Sequence, residues 1–352
     1  MSAKSADALR RSIGMPILAV LWLALGASVH AQEPSSSDLC TNAGHAYPLD
    51  VVIYGCTAVI SGGRADAMNL AAAFTNRGRA FHARGDIAHA LADYDQAVQL
   101  DPDYAPVYNN RAVIWHDKRE MERAFADYNQ AIRLDPNNAA AFLNRGIAYR
   151  DTGDFAHAIA DYDEAIRLDP HAASAFTNRG NAYREMGDLD RAAADYSEAV
   201  TLDPMNPVAF NSRGAAYLIK GDLDHALAYF SEAIRLDPRY GIAFTNRGTA
   251  YRDKGDFAHA LADYSEAIRL NPRNINALGN RGLANLKLGN LDQAILDYEA
   301  VLRLNASSAD ALYGRGLARQ KKGDGPAGDA DLVAAKALRP DVADTFTKYG
   351  IQ

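Results

Sequence analysis

At 352 residues the chain exceeds one ordinary domain, and its 48% hydrophobic and 23% charged content is close to a globular average. A formal charge of −7 with no block of Lys or Arg excludes nucleic acid and anionic membrane surfaces as partners. Ala, Asp, Tyr, Arg and Gly recur so regularly that a search for repeats must precede any count of domains.

The chain opens with Lys4, Arg10 and Arg11, then an apolar run from Ile13 to Ala27, then Val29, His30, Ala31 and Gln32. A basic start, an apolar core and small residues three and one positions before a cut predict a secretory signal peptide, residues 1–31, cleaved after Ala31. The run falls short of the roughly 20 residues of a bilayer span, which leaves a retained anchor as the alternative. Cleavage removes Lys4, Asp7, Arg10 and Arg11 and takes the formal charge from −7 to −9. The mature protein is expected to be periplasmic or secreted.

Residues 32–37, Gln-Glu-Pro-Ser-Ser-Ser, read as a loose tether. Cys40 and Cys56 are the two cysteines of the chain. In an oxidising compartment they are expected to form one local disulfide. A loop of that size contributes on the order of 3 kcal/mol, enough to pin a fraying end. A redox-active pair would more often be Cys-x-x-Cys. Residues 50–61 lay against a second-type helix of the repeats that follow, so residues 32–70 are expected to form a tether and half-repeat cap.

From Ala71 a single unit recurs. Asn76-Arg77-Gly78, Asn144-Arg145-Gly146, Asn178-Arg179-Gly180, Asn246-Arg247-Gly248 and Asn280-Arg281-Gly282 lie on a 34-residue grid, with Asn110-Arg111-Ala112, Ser212-Arg213-Gly214 and Gly314-Arg315-Gly316 filling it. Pro102, Pro136, Pro170, Pro204, Pro238, Pro272 and Pro340 keep the same step, Ala306 replacing one. Eight units therefore cover residues 71–342. Each reads as two helices. Phe74, Gly78 and Phe81 share one helix face, Gly85 ends that helix, and Asp86 caps the next. Ala90, Tyr94, Ala97 and Val98 mark the second stripe, which Asp101 and Pro102 stop. A lone pair cannot bury both stripes; stacking on a neighbouring pair can.

With Ala71 as position 1, the unit resembles the tetratricopeptide-repeat (TPR) family: a large residue at position 4, Gly at 8, an aromatic at 11, Ala at 20, an aromatic at 24, Ala at 27 and Pro at 32. The resemblance implies an all-α, right-handed superhelical solenoid of antiparallel helix pairs that binds a protein or peptide. Position 7 departs from the family, being Arg in all eight units. Position 11 becomes Asn285 and Arg319 in the last two units, and the eighth has Gly328 and Leu332 at positions 20 and 24. That unit is expected to cap the stack, with residues 343–352 as a closing helix carrying Phe346, Tyr349 and Ile351.

Catalytic chemistry finds little purchase. There is no His-Glu-x-x-His, Walker loop or nucleophile elbow, and the Gly-x-Gly-x-x-Gly match at Gly323 follows a helix where a dinucleotide loop needs a strand. His89, His157, His225 and His259 share position 19, one per unit. Adjacent helices packed about 8–10 Å apart hold such residues too far apart for one zinc, whose ligands lie at about 2 Å. No enzyme activity, cofactor, metal or small-molecule substrate is expected.

Three columns remain. The Arg at position 7 is matched by Asp at position 23 (Asp93, Asp127, Asp161, Asp195, Asp263, Asp297 and Asp331), which favours internal pairing. Tyr229 breaks the acidic column, so Arg213 needs another partner, a carbonyl or Asp203. The Asn at position 6 (Asn76, Asn110, Asn144, Asn178, Asn246 and Asn280) is similar to the asparagine ladder of the TPR domain of O-linked N-acetylglucosamine transferase, which binds the main chain of an extended peptide. A carboxamide offers a donor and an acceptor to match a backbone amide; the alternative is that these amides bond to their own scaffold. Repeats three, four and six carry Arg150-Asp151, Arg184-Glu185 and Arg252-Asp253 at positions 12 and 13, whereas repeat five has Val208, Ala215, Leu218 and Ile219 in the groove. Those four suggest an apolar anchor for the peptide, or an interface that makes the protein a self-assembling homo-oligomer.

Overall fold

The computed structural model describes residues 34–42, 46–63 and 65–351. The expected signal peptide lies outside the described residues. Those residues fall into two compact units divided after Pro102. The first holds α1 (Ser36–Thr41), α2 (Leu49–Ser61), α3 (Ala67–Ala83) and α4 (Ile87–Leu100). The second holds α5 (Ala105–Asp117), α6 (Met121–Leu134), α7 (Ala139–Asp151), α8 (Phe155–Leu168), α9 (Ala173–Glu185), α10 (Leu189–Leu202), α11 (Pro207–Ile219), α12 (Leu223–Leu236), α13 (Gly241–Asp253), α14 (Phe257–Leu270), α15 (Ile275–Leu288), α16 (Leu291–Leu304), α17 (Ala309–Lys322), α18 (Gly325–Leu338) and α19 (Val342–Thr347). No strand occurs among the described residues. The fold is all-α.

In the first unit Cys40 and Cys56 are joined by a disulfide that ties α1 to α2. Both sulfurs sit in a cluster with Val52, Ala73 and Ala80. The loose tether expected over residues 32–37 ends sooner than that. Ser35 accepts from the Asp38 backbone while Asp38 bonds back to Ser35, a reciprocal cap that starts α1 at Ser36.

The third repeat shows how the sequence builds each pair. The Asn138 side chain caps α7 by accepting from the Ala141 N–H at 3.1 Å. Gly153, with φ of +83°, ends it in the left-handed conformation that costs glycine least. Asp154 then caps α8 by accepting from the His157 N–H. Between the helices Gly146 meets Tyr162 so closely that a methyl there would come within 2.6 Å of the ring. Tyr162 is fully buried, and a ring of that size stabilises by roughly 2 kcal/mol or more on leaving water.

The core of the second unit is a chain of small clusters, each drawing on two neighbouring repeats. One gathers Ala112, Ala124 and Tyr128 with Ala148 of the next repeat; another gathers Tyr183, Ala192 and Tyr196 with Ala216. The last cluster is the largest. Val342, Phe346 and Ile351 close over Leu317, Ala318 and Ala335, which removes the final apolar face from water.

Candidate binding groove

Within the second unit the first helices of successive repeats (α5, α7, α9, α11, α13, α15 and α17) touch one another as well as their own partners. No comparable series of contacts joins the second helices. The stack therefore bends toward the first helices, and positions 6, 12 and 13 line the inner side.

The Arg column is consumed by the scaffold. Arg145 Nε and Nη2 donate to the two carboxylate oxygens of Asp161 at 2.8 and 2.6 Å, and Arg179 does the same to Asp195. Arg77, Arg111, Arg247, Arg281 and Arg315 repeat the arrangement with Asp93, Asp127, Asp263, Asp297 and Asp331. Burial raises the cost of ionising the phenols nearby, so Tyr196 and Tyr264 are pushed up to about 12. Arg213 departs from the expectation of a carbonyl or Asp203. Its guanidinium lies 4.4 Å from the centroid of the Tyr229 ring, and its buried Nε has no hydrogen-bond partner.

The histidines face solvent. In His89, His157, His225 and His259 the Nδ1 pairs with the capping Asp of the same helix at 2.7–2.8 Å. Their rings lie 5.0–5.2 Å from Phe81, Tyr149, Tyr217 and Tyr251.

The Asn column is partly engaged by the scaffold, in two alternating ways. Asn144 donates to Asn109 at 3.1 Å and Asn246 to Asn211 at 2.9 Å, each reaching position 5 of the preceding repeat. Asn178 and Asn280 instead accept from Arg150 and Arg252 at 2.7 Å, position 12 of the preceding repeat, and the Asn178 amide also donates to the Ser174 carbonyl at 2.9 Å. The choice follows what the preceding repeat offers. Where Ser212 replaces Asn, Arg184 has no such acceptor: it reaches Glu185 at 2.8 Å, and its buried Nε has no hydrogen-bond partner. In the first unit Asn76 lines a separate cavity of about 740 Å³ with Asn69. Asn110 is half-buried on α5.

The apolar set of repeat five divides. Val208 and Ile219 are exposed, at 44% and 58%. Leu218 and Ala215, expected in the groove, pack instead against Ala226, Phe230 and Ala250. Position 12 sits at the edge of the inter-helix core, and there the Leu218 side chain packs inward against the apolar cluster.

One groove residue escaped the sequence. Tyr349, beyond α19, donates its hydroxyl to Asp253 Oδ1 at 2.9 Å and lies under the Arg252 guanidinium at 4.9 Å. Burial, the larger cause, and the Asp253 bond push its phenol up to about 12. Next to it, Gly350 passes Lys287 with φ of +64°. Tyr349 and Gly350 thus lie on positions 12 and 13 of repeat six and beside position 13 of repeat seven.

Stacked helix pairs with a polar inner rail and no cluster of three or more His, Cys, Asp or Glu placed to hold a metal, among the described residues, define an α-helical repeat scaffold. A model described as "Tetratricopeptide repeat" matches residues 143–207 and 177–240. One described as "TPR repeat" matches residues 78–118, 116–153, 248–289 and 286–323. The chain belongs to the tetratricopeptide-repeat family, which is typically non-catalytic and binds protein or peptide partners. Among solved structures it is similar to a tetratricopeptide repeat protein from Parabacteroides merdae, at 20% identity over 70% of this chain and 97% of that one, TM-score 0.56. It is also similar to the APC/C hetero-tetramer Cut9–Hcn1, at 18% identity over 85% and 59%, TM-score 0.59. A third is PilW, a widely conserved type IV pilus biogenesis factor, at 20% identity over 59% and 98%, TM-score 0.54. Likeness at these identities speaks for the fold. No match was found among curated proteins.

Proposed function

We propose that the chain is a non-catalytic scaffold of the cell envelope that holds an extended polypeptide along the inner rail from repeat two to the start of repeat six, the chain's own Tyr349 and Gly350 lying on the rail beyond. The observation that carries this reading is the row of amides, half-used at Asn144 and Asn246, and of Arg-acid pairs on first helices that touch one another. Asn144 and Asn246 each spend a donor on the scaffold and keep a carbonyl oxygen for a ligand. Such bonds are worth about 0.5–1.5 kcal/mol each, against an association cost of roughly 4–15 kcal/mol, so specificity comes from positions 12 and 13 and from Val208 and Ile219. The disulfide and the signal-like N-terminus support export. PilW, with the same fold, is a pilus biogenesis factor.

The test is recovery of cross-linked partners from cell-envelope extracts. Replacing Asn144, Asn178 and Asn246 by Ala should leave the helical circular dichroism unchanged and lower recovery severalfold; unchanged recovery overturns the reading. The exposed Val208 and Ile219 favour one second reading, a self-assembling protein. A concentration-dependent dimer in light scattering that is lost in Ile219→Asp would establish that reading instead.

A further inference from the structure

The tail residue Tyr349 shows what the inner rail accepts. At its seat Arg252 lies over the ring, Asp253 Oδ1 accepts the hydrogen bond of the hydroxyl, and Asn280 holds Arg252 in place from the next repeat. Asp253 Oδ1 also accepts from Arg252 Nε at 2.9 Å, so ring and carboxylate are set by one guanidinium. Three repeats earlier the same three residue types stand in the same relation. Arg150 Nη1 donates to Asn178 at 2.7 Å and Nη2 to Asp151 Oδ1 at 2.9 Å. Here no tail residue lies over the guanidinium, and the arginine side chain is 24% exposed where Arg252 is 12%. Beside the Arg150 guanidinium opens a cavity of about 410 Å³ lined by Arg150, Phe155, Asn181, Arg184 and Glu185. His116 and Arg119 approach Asp151 from the other carboxylate oxygen, Oδ2, at 3.2 and 3.8 Å, which leaves Oδ1 on the Arg150 side to receive a hydroxyl.

We propose that Arg150, Asp151 and Asn178 form a receptor for an unphosphorylated tyrosine side chain of an extended peptide, the seat at Arg252 being occupied by the chain's own Tyr349. The chemistry asks for both halves of the residue: a π-face for the guanidinium and a hydroxyl that donates to a carboxylate. Phenylalanine supplies only the first. Phosphotyrosine has given up the phenolic donor and brings negative charge against Asp151. This inference rests on the groove reading above and sharpens it.

The probe is a labelled peptide copying residues 347–351, Thr-Lys-Tyr-Gly-Ile, titrated onto the intact protein and read by fluorescence anisotropy, with equilibrium dialysis for stoichiometry. A hydrogen bond to a charged acceptor predicts that the Tyr→Phe peptide binds about tenfold more weakly, and Arg150→Ala should cost a similar factor. The phosphotyrosine peptide should bind more weakly still. In Tyr349→Ala, where Val342, Phe346 and Ile351 still close the core, the Arg252 seat opens and the bound ratio should rise from one peptide per chain to two. Equal binding of the Tyr and Phe peptides, or no effect of Arg150→Ala, overturns the tyrosine receptor. If both peptides then weaken together on replacement of Asn144 and Asn178, the groove survives without it. Absence of binding by every peptide removes the receptor and leaves the groove to be judged by partner recovery.

Discussion

Arg213 lies over the ring of Tyr229 at 4.4 Å, at the place where seven other repeats join the same arginine to a buried aspartate. Ring and guanidinium attract without a carboxylate to be desolvated, and the Nε is left without a bond. The two arrangements should respond differently to loss of the arginine. Arg145→Met strands Asp161, which is 5% exposed, as an unpaired buried charge and should cost about 3 kcal/mol. Arg213→Met leaves no stranded charge and should stay within about 1 kcal/mol of the parent. Urea unfolding of both variants measures the difference, and equal losses would contradict this account.

The buried phenols divide in the same way. Tyr162 has an unbonded buried hydroxyl, and in repeat five Phe230 fills the equivalent place without one. Tyr162→Phe should therefore be neutral or stabilise by up to about 1 kcal/mol. Tyr196 donates to Asn181 at 2.8 Å, so Tyr196→Phe leaves that amide unpaired and should cost about 1 kcal/mol. Thermal midpoints should move in opposite directions, or at least only the second should fall.

Both ends of the pH scale should weaken the fold, by different groups. The folded-state phenols of Tyr196 and Tyr264 are raised by burial to about 12 from an ordinary value near 10. The folded state thus binds more protons, and stability falls as pH climbs from about 10 toward 12, by up to about 1.4 kcal/mol per unit for each such phenol. Asp154, Asp222 and Asp256 are shifted the other way, lowered first by the backbone N–H of the histidine three residues on and then by its ring. Their contribution is present above the ordinary carboxylate value and is lost as pH falls below about 4. Chemical denaturation across pH 2–12 should show both declines.

Reducing the Cys40–Cys56 bond opens a short loop in the first unit, which should lose on the order of 3 kcal/mol. Hydrogen exchange with and without dithiothreitol should show α1 and α2 losing protection, while protection in α8 and α10 is unchanged.

Much of this was legible because the repeat is strict. A 34-residue period with Gly and Asp at fixed turns dictates helix pairs, and Arg at position 7 with Asp at position 23 stands sixteen residues apart in every unit but one. Pairs within a unit follow from local helix geometry, which any one copy already contains. The partners of the Asn column were not legible to the same degree. Asn144 meets Asn109 and Asn178 meets Arg150 across a repeat boundary, so each bond depends on how steeply one pair leans on the next.

The amino-acid sequence by itself determined the helices, their caps, the Arg–Asp pairs and the family. The tertiary structure decided that Leu218 turns inward while Ile219 stays out, and that Tyr349 seats itself between Arg252 and Asp253, ninety-six residues from its acceptor. The physical reason is that stacking curvature accumulates over several repeats. No local pattern records where a closing segment will meet the inner rail after the chain has turned back on it.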